Sequence, residues 1–163
     1  MTSTELIDEV YTELRTRASR LVRNHTGSVA PSSLVHEVLI RLWNVDSNRW
    51  RSKSHFRAVA AKAMRQVLID RARARGALKR GGDLQRVELP DLPSESNTVN
   101  IIALEHCIAR LQSERPRCAQ VVELRLLGGM EVVEVADWLK ISASTVKREW
   151  RVGRAWLIAE LEL

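Results

Sequence analysis

Cysteine, glycine, proline and the single-ring aromatics are scarce in this 163-residue chain: two Cys, seven Gly, four Pro, one Tyr and one Phe. Cys107 and Cys118 lie far apart with no CxxC pair. That spacing indicates neither a disulfide framework nor a zinc site, and fits two small core thiols in a reducing compartment. Aromatics make up 4%, mostly Trp, too little for a β-sandwich core. No apolar run nears the roughly 18 residues of a membrane span. The opening MTSTELIDEVYTELR is acidic and amphipathic, unlike a secretory signal, so a cytoplasmic protein is expected. The four His (25, 36, 55 and 106) fall in separate segments, and Gly81-Gly82 lacks the rest of a phosphate loop. With no nucleophile–base pair either, the chain reads as a non-enzyme with no catalytic residue, no metal and no cofactor.

What is present is charge, unevenly placed. The net charge is +6, but residues 1–82 carry 16 basic and seven acidic side chains, whereas residues 101–163 carry nine of each. Residues 83–100 (DLQRVELPDLPSESNTVN) hold one basic and four acidic groups, with Pro, Ser and Asn and no helical periodicity. A polyanion partner is expected for the first part, and a linker or extended strap for the middle.

Apolar residues recur at helical spacing almost throughout. The pattern predicts helices over 4–23, 34–44, 56–78, 101–111, 115–127, 131–139 and 143–161, and no sustained alternation of period two. The fold class expected is all-α: two small helical domains, 1–82 and 101–163, joined by the 83–100 linker. Ser32 or Ser33 and Ser52 or Ser54 suit helix N-caps.

The most specific local pattern is EVVEVADWLKISASTVKREW, residues 131–150. Val132, Val135, Ala136 and Leu139 line one face of a short helix, Ile141 plugs a turn, and Ser142 caps a second helix. The inner face of that helix is Val146, Trp150, Gly153 and Leu157. This is the plan of a helix-turn-helix, with Ser144, Lys147, Arg148 and Arg151 on the outer face, joined by Thr145 in the first turn. A recognition helix sets such residues against base edges and phosphates of the major groove. Lys140 stands at a turn position that favours glycine; a left-handed Lys there costs on the order of 1 kcal/mol.

In the third helix, Phe56, Ala60, Ala63, Met64 and Val67 share the core face, and Lys62, Arg65, Gln66, Ile69 and Arg73 share the other. Gln66 and Ile69 among the cations suggest contact with bases as well as phosphates. In the second helix, Leu34, Val35, Val38, Leu39 and Leu42 form the inner stripe. Ile40 points away beside His36, Glu37 and Arg41, as a docking patch would.

The segments SSLVHEVLIRLW (32–43), FRAVAAKAMRQVLIDRARAR (56–75) and VVELRLLGGMEVVEVADWLKISASTVKREWRVGRAWL (121–157), in this order and spacing, resemble the extracytoplasmic-function sigma factors of bacterial RNA polymerase. The resemblance implies a promoter-specificity subunit whose partners are core RNA polymerase, promoter DNA and, for many members, an anti-sigma factor. It implies docking of helix two on the β′ clamp helices through His36, Glu37, Ile40 and Arg41, with the β subunit as a second core contact. Helix three and the 45–55 loop would capture the unwound minus-ten strand through Trp50, Lys62, Arg65, Gln66 and Arg73. The C-terminal helix would read the minus-thirty-five duplex through Ser144, Thr145, Lys147, Arg148 and Arg151, and the linker would run toward the RNA exit channel. Two other readings stay open from the residues alone. One is a stand-alone helix-turn-helix regulator with an N-terminal dimerisation or signal module; the other is an RNA-binding or antitermination protein.

Overall fold

A computed structural model describes residues 3–21, 31–43, 52–78, 86–88, 91–93 and 98–163. Seven helices occur among them: α1 (Ser3–Leu21), α2 (Pro31–Trp43), α3 (Lys53–Leu78), α4 (Ile101–Glu114), α5 (Pro116–Leu126), α6 (Val132–Leu139) and α7 (Ala143–Glu160). Their boundaries follow local chemistry. Pro116 opens α5, where the missing N–H costs nothing. Asn100 caps α4, its side-chain oxygen accepting from the amides of Ile102 (2.9 Å) and Ala103 (3.2 Å). Ser52 Oγ accepts from the amide of His55 at the start of α3. α2 begins three residues before the expected Leu34, with Pro31 at its head. Ser32 and Ser33 therefore lie inside the first turn, and the Ser33 hydroxyl accepts from Arg71 (2.9 Å).

The all-α class holds, with one addition. Residues 86–88 (β1) and 98–100 (β2) pair antiparallel, Val87 opposite Val99. Three-residue strands are too short to show a period-two pattern in sequence. The 83–100 segment is thus folded over part of its length. Leu92 is fully buried, Val99 joins the core, and the Asp91 carbonyl accepts from Arg154 Nε of α7 (2.8 Å).

The core runs from Leu6, Val10 and Leu14 of α1 through Leu34, Val35 and Val38 of α2 and Phe56, Met64 and Leu68 of α3. It continues into Leu104, Ile108 and Leu111 of α4 and Leu157 of α7. A second cluster joins Ala58 of α3 to Val121, Leu124, Met130, Val135, Ala136 and Val146. α3 is therefore buried on two sides, against α1–α2 and against α4–α6. Ile69, expected on the outer face, is 2% exposed and belongs to the main core cluster. Leu39 is only partly buried, while its inner-stripe neighbours Leu34, Val35, Val38 and Leu42 are enclosed.

Candidate nucleic-acid interface

The C-terminal pair α6 and α7 meets across a three-residue turn. Lys140 adopts φ 57°, ψ 44°, the left-handed conformation expected of it, and its amide N–H closes the end of α6 on the Ala136 carbonyl. The Ile141 amide donates to that same carbonyl (3.1 Å). Glu131 and Glu134 form a reciprocal capping box at the other end of α6. Ser142 caps α7, its Oγ accepting from the Thr145 amide (3.2 Å) and sharing hydrogen bonds with the hydroxyls of Ser144 and Thr145. Val146, Gly153 and Leu157 are buried, and Trp150 is partly buried beneath the Arg125 guanidinium, 5.3 Å from its ring centroid. Gly153 is needed for contact: a Cβ there would fall 2.3 Å from Val122 Cγ2 and 3.0 Å from Cys118 Sγ. Ser144, Lys147, Arg148 and Arg151 are all exposed on the opposite face, with Thr145 half-buried beside the cap. The nearest carboxylate to Arg148 is its chain neighbour Glu149, at 3.9 Å. These cations face solvent, where their charge is available to a polyanion.

On α3 the structure separates residues that the sequence pattern grouped. Lys62, Gln66 and Arg73 are exposed, Gln66 donating to Asp70 within the helix (2.9 Å). Arg65 is turned into the molecule. Its Nε binds Glu105 of α4 (2.6 Å) and its Nη1 binds Glu123 of α5 (3.1 Å). Burial opposes the charge on Arg65, but the hydrogen bond it donates to Glu105 and the field of Glu123 outweigh it and raise its pKa above the ordinary value. About two turns earlier, Arg57 is held between Glu13 of α1 (2.6 Å) and Glu134 of α6. Neither Arg57 nor the carboxylates that meet these two arginines stand out in the sequence. The signal for three of them is that Glu105, Glu123 and Glu134 interrupt otherwise apolar helix faces. Trp50 and most of the 45–55 loop lie outside the described residues.

On α2, Ile40 is 58% exposed, as its position off the inner stripe requires. Around it lie exposed His36 and Glu37 and the partly buried Arg41. Arg41 bonds Asp70 of α3 (2.7 Å) and Glu37 bonds Arg71 (2.7 Å). The Arg41 hydrogen bond holds the Asp70 carboxyl below the usual range, Gln66 assisting. These bridges are surface-exposed and fix side-chain positions more than they stabilise the fold.

Outward cations on one helix pair, a second basic helix and a lone exposed isoleucine on a third define a helical DNA-binding factor. A family model for ECF sigma factors matches residues 1–163, and the chain belongs to that family. It is an RNA polymerase sigma factor of the extracytoplasmic-function type, directing core polymerase to promoters to initiate transcription. No curated protein matches the sequence. No helix among the described residues is long and apolar enough to cross a membrane.

Proposed function

We propose that the chain divides its work among three surfaces. α7 binds the minus-thirty-five duplex, its outward Lys147, Arg148 and Arg151 meeting phosphates and guanine edges while Ser144 and Thr145 approach from the N-terminal turn. The exposed part of α3, at Lys62, Gln66 and Arg73, holds the phosphates and bases of the melted minus-ten strand, together with Trp50. Arg65 joins that face only when its carboxylate partners release it. α2 docks on the β′ clamp helices through His36, Glu37, Ile40 and Arg41, with a further contact to the β subunit. Residues 1–82 and 101–163 then correspond to two promoter-binding units, with 83–100 as the segment between them. An anti-sigma factor is a further candidate partner, and the site of action is the cytoplasm, where core polymerase works. As a transcription factor rather than an enzyme, it supplies position and leaves bond-making to the polymerase.

The observation that supports this most is the row of exposed cations on α7, set outward by the Lys140 turn, the Ser142 cap and the glycine contact at Gly153. The test is capture of core polymerase by the protein followed by run-off transcription from a candidate promoter. Lys62→Ala, Arg73→Ala should assemble with core polymerase and bind minus-thirty-five duplex normally, yet lose permanganate reactivity of thymines near minus ten. A pre-melted template should partly restore its transcription. Undiminished opening would reduce α3 to a solvated basic face.

A further inference from the structure

Two glycines at the α5–α6 turn and two alanines on α3 bring small residues together where three elements meet. A Cβ on Gly128 would come within 3.1 Å of the Ala61 Cβ, so the turn and the helix already touch there. Gly129 holds φ 59°, and a Cβ on it would coincide with the guanidinium of Arg17 from α1. Arg17 is thereby laid against the turn, its Nη1 donating to the Leu126 carbonyl (3.3 Å). Beside this contact a cavity of about 370 Å³ lies between α1, α3 and the turn. That size falls in the range of about 300–1,000 Å³ usual for small-molecule sites. The rim reaches solvent, since Thr12, Thr16 and Glu131 are exposed.

The lining is sorted by polarity. Leu14, Ala60, Met64 and Leu127 are buried and form an apolar floor. The rim carries both signs, Arg17 and Arg57 against Glu13, Glu131 and Glu134. Glu13 and Glu134 are both drawn to Arg57, which stands as a fixed crosslink at one wall. Glu131 is different. Its side chain is 83% exposed, and its ion pair with Arg125 spans 3.7 Å, too long for a hydrogen bond. Such a carboxylate can accept a new donor without breaking a buried bridge. Water over an apolar floor finds few partners, so an apolar body that displaces it gains affinity.

We infer that this cavity binds a small zwitterion with an apolar body, an apolar amino acid or its dipeptide. The ammonium meets Glu131, the carboxylate meets Arg17, and the side chain covers the floor of Leu14 and Met64. A rim of both signs selects a ligand of both signs, because a lone anion would face three carboxylates and a lone cation two guanidiniums. The ligand touches α1 and α3 on one side and the α5–α6 turn on the other. Linkage makes the effect mutual: the ligand opposes separation of the turn from α1 and α3 by the factor by which separation weakens the ligand. The cavity is thus an input through which a small molecule can act on a promoter-binding chain. That last step rests on the proposed division of work among the helices, whereas binding itself does not.

The test titrates leucine, leucyl-leucine, N-acetyl-leucyl-leucine and leucyl-leucine amide into the full-length, nitrogen-15-labelled chain and follows amide chemical shifts. Leucine or leucyl-leucine should shift the amides of Ala60, Gly128 and Gly129 saturably, and the tighter of the two identifies the source. Acetylation and amidation each remove one charge and should each weaken binding at least about tenfold, the worth of a charged hydrogen bond. Glu131→Gln keeps an acceptor for the α6 capping box. It should weaken the unblocked dipeptide by the same factor and leave the acetylated one unchanged. No saturable shift at these amides, or equal affinity for blocked and unblocked forms, would overturn the site. Run-off transcription with core polymerase should fall at saturating ligand; unchanged output would overturn the role as an input. The work of α3 is judged without ligand, by promoter opening in Lys62→Ala, Arg73→Ala, so either idea can fall alone.

Discussion

Replacing Gly153 by alanine sets two known effects against each other. In a helix interior, Gly→Ala stabilises by about 1 kcal/mol through backbone entropy. Against this stands the space at the α5–α7 crossing, where the new methyl would lie 2.3 Å from Val122 Cγ2 and 3.0 Å from Cys118 Sγ. Val122 is fully buried and, being β-branched in a helix, has one strongly preferred rotamer. It cannot swing aside. Cys118 is tied to the Glu149 carbonyl (3.2 Å), and its thiol is pushed up to about 11 by burial, so it stays a neutral, fixed neighbour. The helices must separate instead, an overpacking cost of about 3 kcal/mol, the upper end of the usual range. The net is a loss of about 2 kcal/mol, or roughly 4–8 °C in Tm for a chain of this size. Circular dichroism melts of Gly153→Ala, Val122→Ala and the double variant measure it. The double variant should be less destabilised than the sum of the singles, because the smaller residue opens the space the methyl needs. A Gly153→Ala variant more stable than the parent would show that propensity alone governs the position and that α7 is not held by this contact.

Further outcomes follow from the same geometry. Lys140→Gly should raise stability by about 1 kcal/mol, seen as a higher Tm, since glycine meets the left-handed turn without the Cβ penalty. Ile40→Asp should leave the circular dichroism spectrum intact and weaken capture of core polymerase, whereas Val38→Asp, at a fully enclosed position, should unfold the protein. Arg148→Ala and Arg151→Ala should each weaken duplex binding; loss of a bidentate base contact costs about 1–3 kcal/mol and relaxes one position, while a uniform loss over all sequences marks a phosphate contact.

Much of this architecture is legible in the sequence because most helices here have a single buried face. The Ser142 cap, the Lys140 strain, the inner stripe of α7 and the exposure of Ile40 all follow from spacing and local chemistry. α3 is different. A helical wheel sorts residues around one assumed core, and α3 has partners on two sides. Ala58 and Arg65 look outward with respect to α1–α2 and inward with respect to α4–α6. Arg65 in particular is indistinguishable in sequence from a solvent cation, since its partner Glu123 lies 58 residues away. The β1–β2 ribbon was hidden for another reason: three residues per strand carry no periodicity, and its pairing depends on where α1 and α4 bring the chain.

The docked strap sets a limit on reach. The promoter elements proposed for α3 and α7 lie about 25 base pairs, or about 85 Å, apart along B-form DNA. With Leu92 seated in the core and Asp91 tied to Arg154, the chain is a body on the order of 40 Å across, taken from its expected compact radius. Folded this way it can touch one element or the other. The 22 residues from 79 to 100 extend to at most about 75 Å once freed, and the two bodies they join supply the remaining span. Engagement of both elements by one molecule therefore requires α4–α7 to part from α1–α3, and the length of the strap becomes a ruler for promoter spacing: shortening it should shift the preferred separation of the two elements before it abolishes binding to either.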